Sequence, residues 1–173
     1  MATGARYKVH MRRARAGKTD YRARKQLLIS RKPRLVVRKS SKNMSVQLVV
    51  PTNEGDNTLV SANTTELKKF GYSGATGNLP SAYLAGLLLG YRAKKEGHAE
   101  AILDIGLNHA TKGGRIFAAL KGAVDSGLEI PHNPEIFPAE DRINGKTIDK
   151  YRKSDISAQF ESARKKIQAN SGE

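Results

Sequence analysis

The fold is decided by RLVVRKSSKNMSVQLVV, residues 34–50. Residues 34–38 and 44–50 are rich in β-branched side chains, which favours strands. The polar turn at 39–43 between them predicts an antiparallel hairpin with a cationic tip. A further apolar run at 58–63 follows the loop around residues 53–57. The sequence therefore predicts three antiparallel strands in succession.

Helix and strand patterns alternate after these strands. Residues 80–96 predict a largely buried helix, because Pro80 suits a first turn and apolar residues cover most of the circumference. Residues 100–107 predict a short buried strand, and residues 114–126 predict a second helix that stops at Gly127. This order requires a crossover and one parallel strand pair. We expect an α/β fold, with an α+β-like mixed sheet and packed helices.

The chain is predicted to have three parts. Residues 1–30 form a basic arm, irregular to residue 18 and then a short helix from Asp20 to about Ile29, capped by Thr19. Residues 31–128 form the mixed core domain. Residues 129–173 form a proline-containing loop, through residue 152, and a C-terminal helix from a Ser154 cap to about residue 169. The apolar stripe of that helix suits docking on a surface but is too thin to build a core; it consists of Ile156, Phe160, Ala163 and Ile167.

Positive charge is concentrated in the arm and hairpin. The first 42 residues carry 15 Lys/Arg and one acid, Asp20, whereas the remaining 131 carry 16 Lys/Arg and 15 acids. A basic arm on a near-neutral body indicates a polyanionic partner, since unpaired buried cations are very costly. A membrane is disfavoured, because residues 1–18 offer only Tyr7, Val9 and Met11 to an amphipathic helix. We expect a nucleic-acid partner, no membrane partner and, without an apolar leader, a cytoplasmic location.

Little in the sequence favours catalysis or a cofactor. There is no cysteine, which excludes disulfides and thiolate metal sites. The four histidines lack the spacing of metal ligands. The glycines at 71, 74 and 77 do not match the phosphate-loop spacing, so a tight turn or a backbone contact to RNA is favoured. We expect no cofactor, no metal, no small-molecule substrate and no enzymatic activity.

Asp104 is a carboxylate within an apolar strand, which admits two interpretations. A ribonuclease H-like nuclease would need several clustered carboxylates to hold two metal ions. No other predicted strand shows an inward-facing acid, so a structural Asp104 bonded to backbone N–H groups of the next loop is favoured. A chromosomal DNA-binding protein is the other alternative that stays open.

Several ordered blocks resemble one ribosomal family. They are residues 6–9 (RYKV), 11–13 (MRR), 19–21 (TDY), 32–36 (KPRLV), 76–84 (TGNLPSAYL), 103–107 (LDIGL) and 128–133 (LEIPHN). Together they resemble the archaeal/eukaryotic type of large-subunit ribosomal protein number eighteen. The resemblance implies binding of 5S rRNA and its attachment to large-subunit rRNA at the central protuberance, beside neighbouring ribosomal proteins, without enzymatic activity.

Basic and aromatic side chains are the candidate RNA contacts. Cations meet phosphates, and rings such as Tyr7 and Tyr21 can stack on unpaired bases, although Tyr21 serves equally well as an anchor for its helix. With the resemblance, the candidates are Arg6, Tyr7, Lys8, Arg12, Arg13, Arg15, Lys18, Tyr21, Arg22, Arg24 and Lys25 on the arm, Arg34, Arg38, Lys39 and Lys42 on the hairpin, and Lys112 and Arg115. For the C-terminal helix two partners stay open, rRNA and a neighbouring protein.

Overall fold

A computed structural model of the chain describes residues 4–171. Four strands and seven α-helices are found in that range. In chain order they are α1 (Arg12–Arg15), α2 (Tyr21–Ile29), β1 (Arg34–Lys39), β2 (Met44–Pro51), β3 (Asp56–Asn63), α3 (Leu79–Lys95), β4 (Ile102–Asp104), α4 (Arg115–Asp125), α5 (Glu140–Ile143), α6 (Lys146–Arg152) and α7 (Ile156–Ser171). Short 3-10 helices occupy Thr64–Phe70 and Pro134–Ile136.

The strands form one mixed sheet in the order β3-β2-β1-β4. β1 and β2 pair antiparallel, with Leu35 opposite Leu48, and β2 and β3 pair antiparallel with an irregularity between Leu48 and Val49. β4 pairs parallel to β1, with Leu35 opposite Leu103. The three antiparallel strands, the crossover and the parallel pair are confirmed, and so is the α/β class.

One face of the sheet and helices α3 and α4 enclose the core. Leu35, Val37, Val46 and Leu48 alternate onto this face and are fully buried. α3 is buried over most of its length, as its all-round apolar sequence predicts. It crosses α4 so closely that a Cβ on Gly86 would lie 1.9 Å from the Ala119 carbonyl oxygen. Small residues at this crossing therefore set the distance between the two helices.

α7 completes the same core. The predicted stripe is confirmed: Phe160, Ala163 and Ile167 are buried, and Ile156 is partly buried. The Phe160 ring packs on that of Tyr83 at a centroid distance of 5.6 Å. Burial, together with the nearby Asp125 carboxylate, raises the pKa of the Tyr83 hydroxyl. The C-terminal helix is thus part of the hydrophobic core, and the expectation that its stripe is too thin for a core is wrong.

Two segments differ from the prediction. β4 has three residues instead of the eight predicted, because the chain turns at Gly106, which has a left-handed φ of 62°. Residues 128–152 are not a simple loop, since they contain α5 and α6. Gly145, with a φ of 84°, separates these two helices and packs against Ile156. The loop was predicted from three prolines, but all of them precede α5 and none interrupts either helix.

Two predicted helix caps are also wrong. The carboxylate of Asp20, rather than Thr19, caps α2 by accepting bonds from the Arg22 and Ala23 amides at 2.8 and 3.1 Å. The N-terminus of α7 is capped from a distance by Asp149, not by Ser154. A carboxylate satisfies two free amides at once and opposes the helix dipole, which a hydroxyl does less well.

Candidate nucleic-acid interface

The arm presents its cations to solvent. Residues 4–18 are almost entirely exposed, and their only helix is the four-residue α1, which the sequence did not predict. Tyr7 is 51% exposed. Within residues 4–171 the side chains of several arm cations make no hydrogen bond or ion pair; these are Arg6, Lys8, Arg12, Arg15, Lys18, Arg22 and Lys25. Such side chains are available to an external anion.

α2 connects the arm to the outer face of the sheet. Arg22 and Lys25 are exposed, whereas Tyr21 and Leu27 are partly buried. Between α2 and the sheet lies a cleft of about 770 Å³, whose sheet side includes Val36, Val49 and Leu103. Tyr21 lines this cleft. Arg13 also borders it and donates to the Thr19 hydroxyl at 2.9 Å.

A chain of ion pairs crosses one end of the cleft. Arg24 donates two bonds to Asp56, at 2.6 and 2.7 Å, and Asp56 also lies 2.8 Å from Arg34. Arg34 in turn pairs with Asp104 at 2.8 Å, and Arg38 reaches the other oxygen of Asp104 at 2.8 Å. The hydrogen bond from Arg24 lowers the pKa of Asp56 to about 2 and raises that of Arg24. Three arginines, one from α2 and two from β1, thus share two carboxylates.

Arg34 and Arg38 differ in what they can offer to RNA. Arg34 is 2% exposed, and its guanidinium is enclosed by the two carboxylates. Its Nε finds no hydrogen-bond acceptor within the described residues. Arg34 lies on the interior strand β1 and links Asp56 of the edge strand β3 to Asp104 of the edge strand β4. The side chain of Arg38 is 44% exposed while it holds Asp104, so one side of it remains accessible.

Asp104 has the structural environment that its sequence context favours. Its carboxylate accepts the Gly106 amide at 2.9 Å, in addition to the two arginines. Arg38 also donates to the Asp104 carbonyl oxygen at 2.8 Å. Within residues 4–171 no three His, Asp or Glu side chains come together as a metal site would require. The geometry of Asp104 is that of an ion-pair anchor.

The hairpin tip and the glycine loop meet at one end of the molecule. Thr76 donates its hydroxyl to the Lys42 carbonyl oxygen at 2.8 Å, and a Cβ on Gly77 would lie 3.0 Å from that same oxygen. Arg115 donates to the Gly77 carbonyl at 2.8 Å. The glycine loop therefore makes close backbone contacts within the protein. The ammonium groups of Lys39 and Lys42 remain exposed and unpaired in the described chain.

Lys112 and Arg115 have partners of different strength. Lys112 lies 3.5 Å from Glu135, and both side chains are more than 70% exposed. A pair this exposed is weak and readily exchanged for another anion. Arg115 is partly buried and bonded to the glycine loop. Lys112 is the more accessible of the two.

One surface was missed by sequence reasoning. Lys150, Tyr151, Arg152 and Lys153, at the end of α6, are all exposed, and Tyr151 is 88% exposed. The signal was a tyrosine within a run of cations, the same pattern that marked Tyr7. It was overlooked because the segment was interpreted as a loop.

No helix in residues 4–171 combines the length and apolar character that crossing a bilayer demands.

Comparison with known proteins identifies the family. A family model described as ribosomal large subunit proteins 60S L5, and 50S L18, matches residues 5–99 and 92–133. The large ribosomal subunit protein uL18 of Methanoregula boonei is 58% identical over 151 residues, 87% of each chain. The uL18 protein of Methanococcoides burtonii is 51% identical over 98% of each chain. That of Methanothrix thermoacetophila is 49% identical over 96% of this chain and 99% of the relative.

These matches span nearly the whole chain and agree with the resemblance in the sequence blocks. They explain why a cationic arm accompanies a near-neutral body, and they accord with a location on cytoplasmic ribosomes. The chain belongs to the family of ribosomal large-subunit proteins that includes 60S L5 and 50S L18, and it is a structural, non-enzymatic constituent of the large subunit.

Proposed function

We propose that this protein binds 5S rRNA through its basic arm and attaches it to the large-subunit rRNA at the central protuberance, beside neighbouring ribosomal proteins. The observation that carries the proposal is the set of exposed, unpaired cations on residues 4–25. Phosphates of a structured RNA are the anions that such an array fits. The ribosomal family supports RNA as the partner.

The proposed contacts divide into three groups by accessibility. The arm cations and Tyr7 contact phosphates and unpaired bases directly. Lys39, Lys42 and the accessible side of Arg38 extend the interface along the hairpin, and Lys112 adds a contact from the loop before α4. Arg13, Arg24, Arg34 and Arg115 are bonded within the protein, and they position the interface. Tyr21 lines the cleft beneath α2 and stays a candidate for base stacking. Selectivity then comes from RNA shape and splayed bases, since side chains cannot read the deep major groove of an RNA duplex.

The salt dependence of 5S rRNA binding tests the arm. Replacing Arg6, Lys8, Arg12 and Arg15 by Gln removes four exposed cations that have no intramolecular partner. If each contacts a phosphate, the slope of log K against log salt, which is negative, should become shallower by about 3. The control replaces four exposed lysines of the body by Gln, at Lys68, Lys69, Lys94 and Lys165. We expect the control to keep most of the original slope.

An arm variant whose slope equals that of the unmodified chain contradicts the proposal. Competition with duplex DNA tests the partner class separately. Selective recognition predicts that an equal mass of unrelated DNA displaces little 5S rRNA at 150 mM salt, whereas a general DNA-binding protein would exchange freely between the two ligands.

A further inference from the structure

A concave surface separate from the arm lies between the hairpin tip and α6. Its walls are Ser41 and Lys42 of the tip, Thr76 of the glycine loop, and Tyr151 and Arg152 of α6. The cavity measures about 750 Å³ and contains none of the residues that line the cleft beneath α2. We call it the α6 surface. A molecule held there leaves the arm cleft open.

The walls of the α6 surface are fixed without a partner. Thr76 bonds both the Lys42 carbonyl oxygen and the Asn43 side chain, at 2.8 and 2.6 Å, which holds the tip against the glycine loop. Asp149 joins α6 to α7 by accepting the Ile156 and Ser157 amides, both at 2.9 Å. A binding surface that is already formed loses little conformational entropy when it is occupied.

The charge of this surface is positive and largely unpaired. Within residues 4–171 the side chains of Lys42 and Arg152, which line the cavity, make no ion pair or hydrogen bond. Nor do those of Lys150 and Lys153, which lie next to the lining residues in the chain. The nearby Asp149 is already used, since hydrogen bonds from Ser157 and its neighbours hold it in place and lower its pKa. Asp155, exposed at the start of α7, offsets one of the four cations. An anionic occupant fits this arrangement.

Tyr151 distinguishes RNA from other anions. At 88% exposure it is the most accessible large apolar side chain described, and no ring contact holds it within the described chain. A tyrosine among cations provides a stacking platform for a base and charges for the flanking phosphates. A purely acidic peptide would use the cations but would leave the ring unused. The combination favours an unpaired stretch of RNA.

We propose that the α6 surface binds a single-stranded RNA segment, with a base stacked on Tyr151 and its phosphates on Lys42 and Arg152, while the adjacent Lys150 and Lys153 add positive charge. The inference rests on the proposed function in taking RNA as the partner class, but it adds a second site. One copy of the protein then holds two RNA segments, one at the arm and one at α6.

The test measures binding of a fluorescent ten-nucleotide oligouridine to the full chain by anisotropy. The host carries the four arm substitutions, so that the arm contributes little to oligouridine binding. We expect Tyr151→Ala to weaken binding by about 5- to 100-fold, the range for losing one stacked base. Tyr151→Phe keeps the ring and should bind within about twofold of the host. Thermal unfolding should be unchanged in both, because the side chain is exposed.

Equal oligouridine binding by the host and by Tyr151→Ala overturns the proposal. It is also overturned if a peptide of alternating Asp and Ser displaces the RNA and itself depends on Tyr151, since the surface would then be a protein-docking site. The proposed function fails by a different result, an unchanged salt slope for 5S rRNA in the arm variant. The two failures are therefore distinguishable.

Discussion

At the scale of single residues, Asp104 anchors the edge strand β4 to the neighbouring strand β1. It is buried and joins Arg34, Arg38 and the Gly106 amide. Asp104→Asn removes the charge and leaves the buried Arg34 with Asp56 alone. Breaking a buried pair in this way should lower the free energy of unfolding by about 3 kcal/mol, measured by urea denaturation.

The matched control is Asp141→Asn. Asp141 lies 3.6 Å from Lys146, and its side chain is 73% exposed. Its replacement should change the free energy of unfolding by less than about 0.5 kcal/mol. If Asp104→Asn were as mild as this control, the role of Asp104 as an anchor would be contradicted.

Asp56 should make stability depend on pH in acid. Its pKa falls from 3.8 to about 2 in the folded protein, chiefly because Arg24 donates hydrogen bonds to it. A lowered pKa contributes stability that is fully present above pH 3.8 and is lost as the pH falls towards 2. The side chain is 32% exposed, so screening reduces the contribution to about 1 kcal/mol.

The measurement compares the unmodified chain with Asp56→Asn in urea at several pH values. The unmodified chain should be the more stable by about 1 kcal/mol at pH 6, and the difference should shrink as the pH is lowered from 4 to 2.5. A difference that stays constant over this range would show that the charge of Asp56 is not its source.

At the scale of elements, the crossing of α3 and α4 depends on glycine. A Cβ on Gly86 would lie 1.9 Å from the Ala119 carbonyl oxygen, which is backbone and cannot rotate away. Gly86→Ala should therefore lower the free energy of unfolding by about 2–3 kcal/mol, even though alanine is the better helix former. Ser162→Ala, on the exposed side of α7, serves as the control and should be nearly neutral. A stabilised Gly86→Ala protein would mean that the helices are farther apart.

The elements predicted well are those whose local pattern agrees with their burial. The hairpin at 34–50 and the helices α3 and α4 follow directly from β-branched runs and apolar periodicity. α5 and α6 did not, because they are short and polar and gain their order from contacts such as Asp149 with the start of α7. A cap that comes from another element leaves no local trace in the sequence.

The candidate site was only partly predictable for a similar reason. The charged arm is visible in composition alone. The pairing of Arg24 and Arg34 with Asp56 is not, because Asp56 lies 32 residues after Arg24 and reaches it through the sheet. The sequence therefore identifies the cations, but it does not show which of them form ion pairs within the folded protein.

At the scale of the whole molecule, charge and packing are separated. The core contains the sheet, α3, α4 and α7, while residues 4–18 contribute no buried side chain. Removing arm charge should thus weaken RNA binding and leave the thermal unfolding temperature of the body unchanged. The same four-Gln variant that tests the salt slope provides this second readout.

The burial of Phe160, Ala163 and Ile167 against α3 has a consequence for biosynthesis. These side chains are translated some sixty residues after α3, so a nascent chain holds the matching face of α3 uncovered until α7 has been made. Partly folded chains with exposed apolar surface are prone to aggregate. A chaperone is therefore needed most in the interval between the synthesis of α3 and that of α7.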